Sequence, residues 1–200
     1  MNYFLVSIVA YFLGSISFAV IVSRLFGLPD PRTYGSNNPG ATNVLRSGNK
    51  LAAALTLLGD ALKGWLAVAL ALRAAPVLGL GEAHIALAAL LVFVGHLFPA
   101  FYQFKGGKGV ATALGVLLAL DWRIGLAAAA LWLIVFALTR TSSLAALIAT
   151  AATPFVALYF HGPGLISAVI LLIALLVMWR HKENIIRLIS GREKQIRKSE

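Results

Sequence analysis

The chain has 200 residues, of which 60% are hydrophobic and only 12% charged, and it contains no cysteine. A water-soluble domain carries roughly 45–50% apolar and about 25% charged residues, so this chain lacks the charge to cover a water-facing globule. The missing thiols exclude a disulfide framework, a thiolate metal site and a cysteine nucleophile. A formal net charge of +10 raises the question of nucleic acid. The basic residues, however, sit in short loops between apolar runs, which suits membrane orientation and anionic substrates, and no nucleic-acid partner is expected.

Apolar runs cover about 3–25, 51–73, 83–104, 110–120, 124–139, 142–160 and 163–179. About 20 apolar residues cross a bilayer as a helix, so the chain reads as an all-α, polytopic membrane protein. Residues 1–200 then form one integral-membrane domain with no room for a separate soluble one. No lysine or arginine precedes the first run, which reads as a transmembrane helix and not as a signal peptide. The fourth run would make a helix of only roughly 17 Å. It either stands as a short span or fuses with the fifth across Asp121-Trp122-Arg123.

The positive-inside rule separates these two options. Seven spans place Arg24, Arg32, Arg46, Lys50, Lys105, Lys108 and Arg140 on one side. The tail bases Arg180, Lys182, Arg187, Arg192, Lys194, Arg197 and Lys198 join them there, leaving Arg73 and Arg123 opposite and Lys63 within a span. Fusing the fourth and fifth runs would put the basic tail outside. The expected topology is therefore seven transmembrane helices, with the N-terminus outside and the C-terminus in the cytoplasm. With a short fourth span, either its N-terminus sits below the membrane surface or its preceding loop dips inward, and irregular backbone is tolerated at that depth only inside protein or along a wet cavity. Glycine-interrupted spans of this kind point towards a binding site.

Three polar clusters flank the spans. The loop Tyr34-Gly-Ser-Asn-Asn-Pro-Gly-Ala-Thr-Asn-Val-Leu-Arg46 gathers Ser36, Asn43 and Arg46. Its glycines permit close backbone approach, its hydroxyls and amides donate to anionic oxygens, and Arg46 can grip a phosphate bidentately. The same composition also suits an ordinary polar turn. The second cluster, Lys105-Gly-Gly-Lys-Gly-Val-Ala-Thr112, offers exposed N–H groups, a helix N-terminus and two ammonium groups to an anion. It is not a Walker A loop, because Tyr102 and Gly109 stand where that pattern needs Gly and Ser or Thr. The third, Arg180-His-Lys-Glu-Asn184 followed by Arg187, puts His181 and Asn184 on one helix face, where the imidazole can orient or deprotonate a hydroxyl. A basic flank after a span is the plainer account of it.

Asp60 and Lys63, three apart inside the second run, read best as a structural ion pair, and His96 as a core histidine beside Pro99 or a functional one. Ser142 and Ser143 open the sixth run, where capping is the default role. There is no G-x-S-x-G elbow, no His followed by Asp at the acyltransferase spacing, and no carboxylate cluster for two metals. The chemistry is expected to handle anions with no metal and no cofactor.

Taken together, Gly35–Arg46, Gly95–Thr112 and Arg180–Asn184 resemble the bacterial acyl-phosphate:glycerol-3-phosphate acyltransferase family, in motif order and spacing along nearly the whole chain. One departure is Asn37, where the family usually has glycine. The resemblance implies a seven-helix enzyme of the cell inner membrane, acting on its cytoplasmic side. Such an enzyme moves a fatty acyl group from acyl phosphate to the 1-hydroxyl of glycerol 3-phosphate, giving lysophosphatidic acid and inorganic phosphate in the first step of phospholipid synthesis. On this reading Ser36, Lys108, His181 and Asn184 are the expected catalytic residues. Arg46, Asn43, Lys105, Gly106, Gly107, Gly109, Thr112 and Ser143 bind substrate. Ser36, Arg46, the two lysines and the glycine backbone serve the phosphates, while His181, Asn184 and Ser143 serve the glycerol hydroxyls. The expected partners are the two substrates and the lipid bilayer, with the protein a monomer. A small transporter or channel for phosphorylated anions is the rival reading. Such proteins place their sites near the midplane between repeats, whereas no repeat is visible here and the polar residues gather at one face.

Overall fold

The computed structural model describes residues 2–195, among which all the regular structure is helical. Arg197 and Lys198, counted above with the tail, lie outside the described residues. The chain divides between Leu120 and Asp121 into two compact units.

The first unit begins with α1 (Asn2–Gly14) and α2 (Phe18–Leu25), two halves of the first apolar run bent by 45° at a short break. A broken span leaves backbone groups with no helical partner, and in a membrane these must be met from within the protein. One of them is met from α4, and side chains of α1 and the break in turn serve the turn after α5. Ser15 Oγ donates to Tyr11 O at 2.9 Å and accepts from Ala100 N–H, Tyr11 Oη donates to Phe98 O at 2.7 Å, and Lys63 Nζ donates to Ile16 O at 2.6 Å.

After the short α3 (Ala41–Leu45) comes α4 (Lys50–Leu78), opened by Asn49, whose side chain accepts from Ala52 N–H at 2.9 Å. It runs past Arg73, the last residue of the second apolar run, and closes on the left-handed Gly79 (φ 65°). Helix α5 (Glu82–Leu97) stops earlier than the apolar run suggests. A 3-10 turn (Ala100–Tyr102) and the left-handed Gln103 and Phe104 then lead to α6 (Val110–Leu120), the expected short helix.

Glycines bring these helices close. A Cβ on Gly14 would strike Val92 O and one on Gly95 would strike Tyr11 O, so α1 and α5 meet backbone to backbone. Gly64 against Thr112 O and Gly115 against Ala61 O do the same for α4 and α6. Small residues at such crossings let van der Waals packing replace the hydrophobic drive that lipid does not provide. Buried among these helices, Lys63 Nζ lies 2.9 Å from Asp60 Oδ1, and His96 Nδ1 stands 3.7 Å from the same oxygen. The ion pair expected from the i, i+3 spacing is present, and its lysine also holds the broken span.

The second unit is a succession of hairpins: α7 (Trp122–Thr139), α8 (Ser142–His161), α9 (Leu165–Arg180) and α10 (Lys182–Ile189), the last bent 60° from α9. Asp121, with extended backbone, ends any continuation of α6 and caps α7 by accepting from Arg123 N–H at 2.9 Å. The fused helix considered above does not form. The Asp121 carboxylate also takes the Arg123 guanidinium at 2.6 Å and His161 Nε2 at 3.0 Å, while Arg123 covers the Phe160 ring, so one cluster ties the start of α7 to the end of α8.

The Arg123 hydrogen bond holds the Asp121 carboxyl down at about 2, against an ordinary 3.8. A lowered carboxylate pKa gives stability that is fully present above the unfolded value and is lost as pH falls through the folded one. Thermal stability owed to this clasp should therefore be flat from pH 8 to 5 and decline below pH 4. Asp121→Ala should cost about 1–2 kcal/mol at neutral pH, as loss of a cap does, and should remove that acid-limb component from melting curves.

Among the described residues four helical stretches, Lys50–Leu78, Glu82–Tyr102, Trp122–Thr139 and Ser142–His161, are long and apolar enough to cross a membrane, and the number rises to six if each bent pair is one span. Exposed apolar side chains such as Leu138, Phe155 and Tyr159 on α7 and α8 suit contact with lipid.

Candidate active site

In the first unit the polar loop of residues 30–46 is built around Asn43, which is 1% exposed. Its Nδ2 donates to Pro31 O at 2.7 Å and Tyr34 O at 3.1 Å, and its Oδ1 accepts from Ser36 N–H at 3.0 Å and Arg46 at 3.4 Å. Both amide hydrogens and both lone pairs are thereby used. Asn43 thus organises the loop from within. What the loop presents outward is the exposed Ser36 hydroxyl and the exposed Arg46, whose stem lies along Gly35 (φ 63°), where no Cβ would fit beside the Asn43 side chain. Asn37 is also left-handed (φ 53°), a conformation asparagine tolerates better than other non-glycine residues, which accounts for its standing at a glycine position. Arg32 stays within the fold. It chelates Asp30 at 2.6 Å, holding that carboxyl below its ordinary range, and covers the Tyr102 ring.

Asn43→Asp keeps the side chain's shape but turns a carboxylate oxygen towards Pro31 O and Tyr34 O. An unmade buried hydrogen bond costs about 1–3 kcal/mol, so Asn43→Asp should loosen residues 30–46 at least as much as Asn43→Ala, seen as faster proteolysis within that loop. A residue that touched substrate alone would leave the proteolysis rate unchanged.

The lysine–glycine loop folds back on the end of α5. Gly106 N–H donates to Leu97 O and Gly107 N–H to His96 O, each at 3.2 Å. A Cβ on Gly106 would meet His96 O, and one on Gly107 would meet the His96 ring and lie 3.0 Å from Pro39 O. Gly109 (φ 84°) leaves the room that the Phe93 ring fills. Gly106 and Gly107 thus give their amides to α5, and at all three glycines the missing Cβ leaves room for close packing. That packing carries the loop, with exposed Lys105 and half-buried Lys108, against the Ser36–Arg46 loop at Pro39. His96 proves to be the buried support between Asp60 and Gly107. Thr112 is fully buried in the first turn of α6, with its methyl against Gly64, so it packs against α4.

In the second unit His181 sits at the bend between α9 and α10, 3% exposed, with its ring Nδ1 2.8 Å from Val177 O. A carbonyl only accepts, so Nδ1 carries the proton and Nε2 is the basic nitrogen. Asn184, buried in the first turn of α10, donates to Glu193 Oε1 at 2.5 Å. Ser143 Oγ donates to the same oxygen at 2.6 Å, and Arg187 Nε reaches Glu193 Oε2 at 2.7 Å. Ser143 is not a helix cap; Thr141 occupies that position. Burial raises the Glu193 carboxyl pKa, but the hydrogen bonds from Ser143, Arg187 and Asn184 outweigh it and hold the group below its ordinary range. Sequence reasoning passed over Glu193, and its only signal there is an acid set alone between Arg192 and Lys194.

Similarity to known proteins extends along nearly the whole chain. The family model for glycerol-3-phosphate acyltransferase matches residues 4–191. A glycerol-3-phosphate acyltransferase of Nitrosospira multiformis is 61% identical over 94% of this chain and 94% of its own length, and one of Cupriavidus necator is 55% identical over 96% and 95%. The crystal structure of PlsY (YgiH), an integral membrane glycerol 3-phosphate acyltransferase, in its glycerol 3-phosphate form superposes with a TM-score of 0.91 at 36% identity, covering 98% of this chain and 96% of that one. Its lysophosphatidic acid form gives 0.89 at 35%. With its apolar helices and the loops that its glycines bind together, this chain belongs to the glycerol-3-phosphate acyltransferase family of integral membrane proteins.

Proposed function

We propose that the protein transfers a fatty acyl group from acyl phosphate to the 1-hydroxyl of glycerol 3-phosphate, releasing lysophosphatidic acid and inorganic phosphate. The observation that carries this reading is the packing of two cation-bearing loops, Ser36–Arg46 and Lys105–Gly109, against each other at Pro39 and Gly107. Two anionic substrates repel one another, and fixed Arg46, Lys105 and Lys108 offset that repulsion while Ser36 adds a hydroxyl donor. Acyl phosphate is a mixed anhydride and already activated. The hydroxyl oxygen attacks the acyl carbon, the carbon–oxygen bond to phosphate breaks, and phosphate departs with the electron pair. The hydroxyl proton passes to a base, for which His181 Nε2 has the correct tautomer. Orienting two such groups can supply about 7–11 kcal/mol of the barrier, and no acylated protein is needed.

The same proposal covers the setting. Residues 1–200 act as one monomeric domain of seven spans in the cytoplasmic membrane, without cofactor, with the N-terminus outside and the C-terminus inside. Cysteines at the exposed positions Asn37 and Gln195 should label from the cytoplasm, and cysteines at Gly81 and Gly164 from outside. Labelling of Asn37→Cys and Gln195→Cys from opposite sides would discard the seven-span topology. The activity itself is tested with purified protein in detergent given acyl phosphate and glycerol 3-phosphate. Equal yields of lysophosphatidic acid and phosphate are expected. Passage of glycerol 3-phosphate into liposomes without any acyl product would replace the enzyme with a transporter.

A further inference from the structure

Helix α10 ends in a Schellman turn: Arg192 N–H donates to Arg187 O at 2.8 Å and Gly191 N–H to Leu188 O at 3.1 Å, with Gly191 left-handed at φ 66°. The turn sends the chain back along α10 and brings Glu193 against Asn184 and Arg187, with its side chain 10% exposed. There its carboxylate gathers three donors from two elements: Ser143 at the start of α8, and Asn184 and Arg187 on α10.

A serine has one hydrogen to give. Because Ser143 gives it to Glu193, what Ser143 has left for a ligand is its lone pairs, so it accepts. A neutral hydroxyl can donate to it, and a phosphate dianion cannot. Arg187, the cation of the group, is matched by the Glu193 charge and is thereby withdrawn from phosphate binding. We propose that Glu193 is a positioning residue that sets Ser143 and Asn184 to recognise the glycerol hydroxyls and keeps the Ser143–Asn184–Arg187 cluster from taking phosphate. This inference rests on the reading that these side chains serve the acceptor substrate.

The test uses the full chain in detergent, with Glu193→Leu, Glu193→Gln, Ser143→Ala and the double variant Glu193→Leu/Ser143→Ala. Glu193→Leu should raise KM for glycerol 3-phosphate about tenfold, the scale of one charge-assisted hydrogen bond, and leave KM for acyl phosphate unchanged. Glu193→Gln retains an acceptor and should recover a large part of the loss, and it carries the test if the leucine variant fails to fold. In the Ser143→Ala background the same change should add little, because residues acting as one unit are not additive. Equal rises in both KM values, or independent effects of Glu193 and Ser143, would overturn the inference. So would tighter glycerol 3-phosphate binding in Glu193→Leu, which would make the carboxylate a stand-in for a bound anion. Binding of glycerol 3-phosphate by calorimetry runs the same cycle without a donor. Wild-type protein that binds glycerol 3-phosphate but makes no lysophosphatidic acid would refute the acyl phosphate reading while leaving the cycle to decide on Glu193.

Discussion

His181→Ala is expected to lower kcat by about 10²–10⁴, the usual share of a positioned acid–base group, with KM for glycerol 3-phosphate changed far less. The reason lies in where the ring is anchored. Val177 O fixes Nδ1–H, so Nε2 is held in one orientation by the bend between α9 and α10, and a contact to the attacking hydroxyl tightens as its proton is lost. Alanine removes both the anchored ring and the proposed base. His181→Asn separates them, since its amide nitrogen can take the place of Nδ1 on Val177 O while nothing replaces Nε2. The asparagine variant should melt like wild type and turn over like the alanine variant. Steady-state kinetics that showed only a raised KM for His181→Asn, with kcat intact, would move the base away from His181.

Lys63→Met is expected to be the most damaging change for stability. The ammonium group neutralises Asp60 at 2.9 Å and caps Ile16 O at 2.6 Å, and both side chains are nearly inaccessible. Removing one partner of a buried pair costs about 3–5 kcal/mol, because the other charge stays buried and uncompensated. On the scale of domains this size that lowers Tm by roughly 6–20 °C. The double variant Lys63→Met/Asp60→Leu should win back most of the loss, since the stranded carboxylate is gone, though not the part owed to Ile16. Melting curves in one detergent suffice, and an unchanged Tm for Lys63→Met would show the pair to be idle.

These two side chains also show what was legible in advance. The Asp60–Lys63 pair follows from helical spacing, and the short α6 from the length of the run 110–120, because both are local facts. The break at Ser15–Ser17 was not legible. That stretch has no proline, and the group that meets the Ile16 carbonyl comes from Lys63, distant in sequence. The close packing at the motif glycines was not legible either, since a glycine wanted for its amide and one wanted for its missing Cβ look alike in sequence. The bonds that Asn43 makes within its loop were equally hidden, because the fold sets their partners. Glu193 was passed over because its meaning depends on Ser143, 50 residues earlier.

The bond from Lys63 to Ile16 bears on how the chain is made. A growing membrane protein releases its spans in order, and the first span here carries a carbonyl that stays without its cation until residue 63 has been synthesised and inserted. The Ile16 carbonyl therefore gains its cation only once α4 has been made. Truncated chains ending before α4 should be the ones that quality-control proteases remove.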